Sequence, residues 1–164
     1  MKPDIDVVIR DAVREDLPVV LELNEVVQSL HVTACPDVFK AVEDTDALLA
    51  ILTNAVCDDG WGLWVACIDG LVVGCIMTEL NSKLETALSL AHIEGHIHHV
   101  CVSEHHRRLG VGSQPVDQAI KTLRKAKPQR VTVGYWSCNE ASKRLFESRG
   151  FKSALVIAEL RNAN

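Results

Sequence analysis

Glu94, His96 and His98 recur at every second position in the run His92-Ile93-Glu94-Gly95-His96-Ile97-His98-His99-Val100-Cys101-Val102. On a regular strand that spacing puts the three side chains on one face, together with Val100 and Val102. Imidazole titrates at about 6.5, so such a face can take a proton from an amine or hold a water molecule at neutral pH. The same three side chains could offer two nitrogens and an oxygen to a metal ion. Ligands at i and i+2 on a flat strand stand about 7 Å apart, so chelation by both histidines would require a bent strand. Taken singly, any one histidine is as well explained as a polar residue on a half-exposed strand, and His92, His99, His105 and His106 are read that way.

A second group follows at once. Arg107-Arg108-Leu109-Gly110-Val111-Gly112 lies between this strand and a helical pattern. Two glycines spaced by one residue let the backbone turn tightly and bring successive N–H groups up to a ligand, and the helix N-terminus adds partial positive charge. Such a place suits a pyrophosphate. It is not a Walker loop, which ends in Gly-Lys-Ser/Thr, nor a dinucleotide fingerprint, which needs three glycines and a later acidic residue.

The elements that must position these residues are legible from periodicity and turn chemistry. Val7 to Arg10 reads as a strand. Arg14, Glu15 and Asp16 open a helix with Leu17, Val20, Leu21, Asn24 and Val27 near one face, and Pro18 is tolerated in its first turn. Thr33 to Phe39, with Pro36, reads as a loop or break, and a second helix starts at Asp44 or Thr45 and runs through Leu52. Gly62 to Ile68 and Leu71 to Thr78 flank Asp69-Gly70, the dipeptide of a type I′ hairpin turn. His92 to Val102 follows as a strand, Gly110 to Lys125 as a helix, and Val131 to Tyr135 as a strand. Asn139 to Ser148 is a helix closed by Gly150, and Phe151 to Leu160 is a final strand. The order is that of an α/β (α+β, mixed-sheet) sandwich whose early strands form an antiparallel meander and whose later ones a parallel crossover.

Composition bounds the answer further. With 48% hydrophobic and 24% charged residues, the 164-residue chain suits a single globular domain over 1–164. No apolar run approaches the roughly 20 residues of a membrane span, and the N-terminus is acidic, so a cytoplasmic protein without membrane contact is expected. The six cysteines are scattered without a CxxC pair and read as reduced core residues. Residues up to Ser103 hold 5 Lys/Arg against 17 Asp/Glu, a balance of −12, and the remainder holds 12 against 5, or +7. A basic half fits a phosphate-bearing ligand and an acidic half a cationic one. The basic residues lack interleaved aromatics, which disfavours nucleic acid.

The stretch Val100 to Gly112 resembles the coenzyme A signature of the GNAT superfamily of N-acetyltransferases, a strand leading into Arg/Gln-x-x-Gly-x-Gly/Ala. Asn139 to Phe151 is similar to that family's second motif, Asn-x-x-Ala/Ser-x-x-x-Tyr/Phe-x-x-x-Gly-Phe, and Ile9-Arg10-Asp11-Ala12 with Asp16 to its opening strand and helix. The resemblance implies an acyl-CoA N-acyltransferase fold, a mostly antiparallel central sheet with splayed parallel strands and about four helices. It implies acetyl-CoA as cosubstrate, with no metal. Main-chain groups of Val100 and Val102 would align the pantetheine arm. Arg107, Arg108, Leu109, Gly110, Val111, Gly112 and Ser113 would hold the pyrophosphate, and Asn139, Ser142 and Phe146 would also line the coenzyme. Pro115 removes one amide from the first helical turn, where no intrahelical partner is needed, and Glu104 stands where proline is common.

His96 and His98 resemble the His-x-His of the arylalkylamine acetyltransferases. That likeness points to His98 as the nearer base or water-holder, His96 as its partner and Glu94 as a reserve carboxylate. The tyrosine that in many members protonates the departing thiolate is Phe146 here. The family resemblance implies an acceptor side on Leu30 to Phe39 and the hairpin, with His31, Phe39 and Glu79 as its candidate contacts. The expected activity is acetyl transfer to a primary amine, either a small molecule or a protein amine, by an enzyme working as a homodimer. A coenzyme-binding sensor without turnover is the alternative, motivated by Phe146, and a metal-dependent hydrolase stands third.

Overall fold

The computed structural model describes residues 6–160 and divides them into two compact units, one ending at Gly134 and the other starting at Tyr135. In the first, β1 (Val8–Asp11), β2 (Trp61–Ile68), β3 (Leu71–Lys83), β4 (His92–Val102) and β5 (Arg130–Val133) form one sheet in chain order. All neighbours are antiparallel except β4 and β5, which run parallel. The meander and the later crossover are therefore as expected. The β2–β3 turn takes positive φ at Asp69 (50°) and Gly70 (80°), the pair of left-handed residues that a type I′ turn needs.

A single-turn helix at Arg14–Asp16 leads into α1 (Leu17–Ala34), and α2 (Thr45–Cys57) follows with Asp44 as its cap, the carboxylate accepting from the Ala47 amide at 2.9 Å. Leu17, Val20 and Leu23 of α1 and Leu52 and Ala55 of α2 share a core with Leu63, Val65, Cys75, Met77 and Cys101 of the sheet. The buried Asn24 joins this layer without an unmet polar group: its amide donates to the Val20 carbonyl at 2.8 Å and its oxygen accepts from the Cys101 thiol at 3.7 Å. α3 (Ser113–Lys125) buries Val116, Ala119 and Leu123, one stripe at i, i+3 and i+7, against the opposite face. A second core there joins Ala66, Val73 and Val111 to Val102.

β4 is not regular. Met77 pairs with His99 and Thr78 with Ile97, so His98 is an extra residue with no partner on β3. Such a bulge shifts the alternation by one. Beyond it Cys101 enters the α1/α2 core while Val102 packs with Val111 on the α3 side. The expectation that Val100 and Val102 share a face with His96 and His98 is thus wrong, because the bulge falls between the two pairs.

The second unit contains α4 (Glu140–Glu147). The Asn139 side chain caps it by accepting from the Ser142 amide at 3.0 Å. Its other end is a Schellman motif on Gly150 (φ 84°), with the Phe151 amide bonded to the Phe146 carbonyl at 3.1 Å and the Gly150 amide to that of Glu147 at 3.0 Å. The strand expected from Phe151 to Leu160 is absent among the described residues. Apolar β-branched residues there satisfy a propensity, but a strand exists only through pairing, and Leu155, Val156 and Ile157 stand 79%, 82% and 85% exposed. Two cysteines also depart from expectation: Cys57 and Cys138 are exposed, whereas Cys35, Cys67, Cys75 and Cys101 are buried.

Candidate active site

The loop after β4 alternates in hand from Arg107 to Val111. Arg107 has φ −70°, Arg108 +62°, Gly110 +87° and Gly112 −68°, while Leu109 and Val111 are not in the positive region. Successive residues of opposite hand turn their N–H groups toward one concave side, which is how a main chain cradles an anion. None of the amides from Arg108 to Gly112 donates a hydrogen bond of ordinary geometry to another described residue. The Ser113 amide and hydroxyl both donate to the Gly110 carbonyl, at 3.1 and 2.5 Å, and close the loop onto α3. Arg107 also acts as a tie, its Nε donating to the Val102 carbonyl at 3.0 Å. The positive φ of Arg108 is unusual for a side-chain-bearing residue and is of the kind found at ligand clamps.

β5 pairs with β4 only from Glu94 to Ile97. From His98 to Val102 the β5-side edge of β4 therefore has no neighbouring strand among the described residues, and its main-chain groups can receive an extended ligand arm as a strand would.

On the α1/α2 face of the bulge the rings gather. His98 Nε2 lies 2.8 Å from the Glu79 carboxylate, and its ring stacks on Trp61 with centroids 4.9 Å apart. The His96 ring meets that of His98 edge to face at 4.6 Å, and its Nδ1 lies 2.8 Å from the Thr132 hydroxyl. Burial pushes the His96 pKa below its ordinary value, and the neighbouring His98 adds to the effect. Burial raises the Glu79 carboxyl, but hydrogen bonds from His98 and Asn81 outweigh it and leave its pKa lowered. An imidazole held by a carboxylate is the arrangement of a positioned proton acceptor.

Glu94 forms an ion pair with Arg130 on β5. Among the described residues no group of three or more His, Cys, Asp and Glu side chains converges as a metal site would require. His31 stacks on Phe39 at 4.9 Å, and burial lowers its pKa. Glu79, a candidate acceptor contact, pairs with His98. In the second unit, Asn139 and Ser142 form the first turn of α4, and Phe146 is 2% exposed, stacked on Tyr135 at 6.0 Å. Periodicity could not single out Trp61 and Thr132. Both reach the histidines through register, Trp61 opposite Glu79 and Thr132 beside His96.

The model of the acetyltransferase (GNAT) family matches residues 25–151. No curated protein is significantly similar in sequence. Among solved structures, a tetramutant protein of Bacillus halodurans superposes with a TM-score of 0.86 at 19% identity, covering 94% of this chain and 99% of the other. An aminoglycoside N-acetyltransferase, AAC(6')-Iy, solved in complex with CoA, gives 0.74 at 15% identity, with 99% and 98% covered. An acetyltransferase of Trypanosoma brucei gives 0.67 at 20%, with 96% and 100% covered. These likenesses establish a shared fold. Among the described residues no helix is long and apolar enough to cross a membrane.

Proposed function

This chain belongs to the acetyltransferase (GNAT) family, and we propose that it transfers the acetyl group of acetyl-CoA to a primary amine by direct attack on the thioester. The observation that carries the reading is the row of five amides from Arg108 to Gly112 that have no partner among the described residues, in a loop of alternating hand that opens onto the N-terminus of α3. A pyrophosphate meets there the donors and partial charge it needs. The open edge of β4 beyond Ile97 suits the pantetheine arm.

Acetyl-CoA supplies the activated acyl group. The amine nitrogen forms the new N–C bond, the C–S bond breaks with its electron pair on sulfur, and the proton the amine gives up is taken by His98 and returned through solvent to the thiolate. His96 stands beside His98 as its partner. Glu94, committed to Arg130, contributes a field rather than a proton. Phe146 cannot donate a proton, and the low basicity of the thiolate makes unassisted departure feasible.

Calorimetric titration with acetyl-CoA, followed by a free-thiol assay over small and protein amines, tests this. Gly110→Asp should abolish binding, whereas His98→Ala should keep binding and lose turnover. Equal loss of binding in both would contradict the division of roles. Tight binding by the wild type with no turnover on any amine would favour a coenzyme sensor instead.

A further inference from the structure

We infer that Glu79 is a positioning residue that fixes the tautomer of His98. Its carboxylate holds the Nε2–H, so that the lone pair available to the acceptor amine is on Nδ1. The inference rests on the acetyl-transfer reading for its chemistry, but its geometry stands apart from it. An ionised carboxylate only accepts, so the 2.8 Å contact requires the proton on Nε2. Among the described residues Nδ1 of His98 has no hydrogen-bond partner. Trp61 against one face, at an interplanar angle of 21°, and His96 edge-on at 4.6 Å support the ring in this orientation. His96 is set the other way. The Thr132 hydroxyl donates to the Gly95 carbonyl at 3.5 Å, so its lone pair accepts from His96 Nδ1–H and the free nitrogen there is Nε2. The two imidazoles thus present different nitrogens from one surface.

During the reaction the amine proton passes to Nδ1, Nε2–H remains in place, and Glu79 stays ionised while stabilising the imidazolium. The charged and titratable groups around His98 are Glu79 on β3 and His96 and His99 on β4. Glu94 and Lys83 act on His96, and His31 of α1 acts on His99.

The test compares Glu79→Gln, Glu79→Ala and Glu79→Asp with the wild type in steady-state kinetics, in pH–rate profiles and in the ring 15N shifts of His98. Glu79→Ala should lower kcat about tenfold or more, a share of the 10²–10⁴ a positioned base contributes, with KM little changed. Glu79→Gln should move the acid limb of the profile to lower pH, because the negative neighbour of the imidazolium is gone. Both should mix the His98 tautomers, and Glu79→Asp should restore part of the wild-type signature. A rise in KM alone would make Glu79 an acceptor contact and overturn the inference. Unchanged kinetics with unchanged 15N shifts would do the same. If the wild type acetylates no amine, the functional reading fails, while the 15N result still decides whether Glu79 sets the tautomer.

Discussion

Arg10 grips Asp16 through both carboxylate oxygens, at 2.6 and 2.8 Å, and the same carboxylate accepts from the Val13 amide at 2.9 Å. This joins the end of β1 to the start of the helical layer. The partners are unequal, since the Arg10 side chain is 41% exposed and that of Asp16 only 9%. Arg10→Ala, which strands a buried carboxylate, should therefore destabilise more than Asp16→Asn, which leaves a guanidinium that water can reach. We expect about 2–4 kcal/mol for the first and about 1 kcal/mol for the second in urea unfolding. The reverse order would contradict this account.

The same pair sets acid sensitivity. The guanidinium holds the Asp16 pKa below its ordinary value. A depressed folded-state pKa gives stability that is present above the unfolded value, near 3.9, and is lost as pH falls through the folded one. Wild-type stability should drop below about pH 4 more steeply than that of Asp16→Asn, as followed by circular dichroism.

Gly110 has φ +87°, and an added Cβ would meet nothing nearer than the Ser113 hydroxyl at 4.0 Å. Gly110→Ala should cost about 1–2 kcal/mol through backbone hand alone and weaken acetyl-CoA binding in calorimetry. Gly134→Ala, with open space and no positive φ, is the matched control and should leave binding unchanged.

His96 should titrate below 6.5 in an NMR pH series, because burial opposes its charged form. Stability linked to it is held above the ordinary histidine pKa and lost as pH falls through the lower folded value. Thr132→Val removes the acceptor of Nδ1–H and should change the 15N tautomer pattern of His96 while leaving that of His98. A wild-type pattern in Thr132→Val would show that the hydroxyl does not set the ring.

A thiol reagent should modify two of the six cysteines in the native protein, Cys57 and Cys138, and all six after unfolding. Mass spectrometry of the labelled peptides identifies them. Early labelling of Cys101 would contradict its place in the α1/α2 core.

Much of the frame was readable one residue at a time, because its causes are local. The Asp69-Gly70 turn, the Asp44 and Asn139 caps and the Gly150 stop each follow from what one or two residues can adopt. The loop after residue 107 belongs with them, since Gly-x-Gly before a helix carries its own stereochemistry. Tertiary context overrode propensity at Phe151 to Leu160, where apolar β-formers find no strand to pair with among the described residues.

The histidine strand divides along the same line. Its bounds, His92 to Val102, were present in residue types and spacing. Which face each side chain joins was not, because a period of two holds only while every residue has a partner across the ladder. Pairing with β3 leaves His98 unmatched and sends Val102 to the opposite side from His96 and His98. Register likewise brought Glu79 and Trp61 to His98 from strands 19 and 37 residues upstream in the chain. A contact between strands depends on how two segments align in space, and neither segment alone contains that alignment.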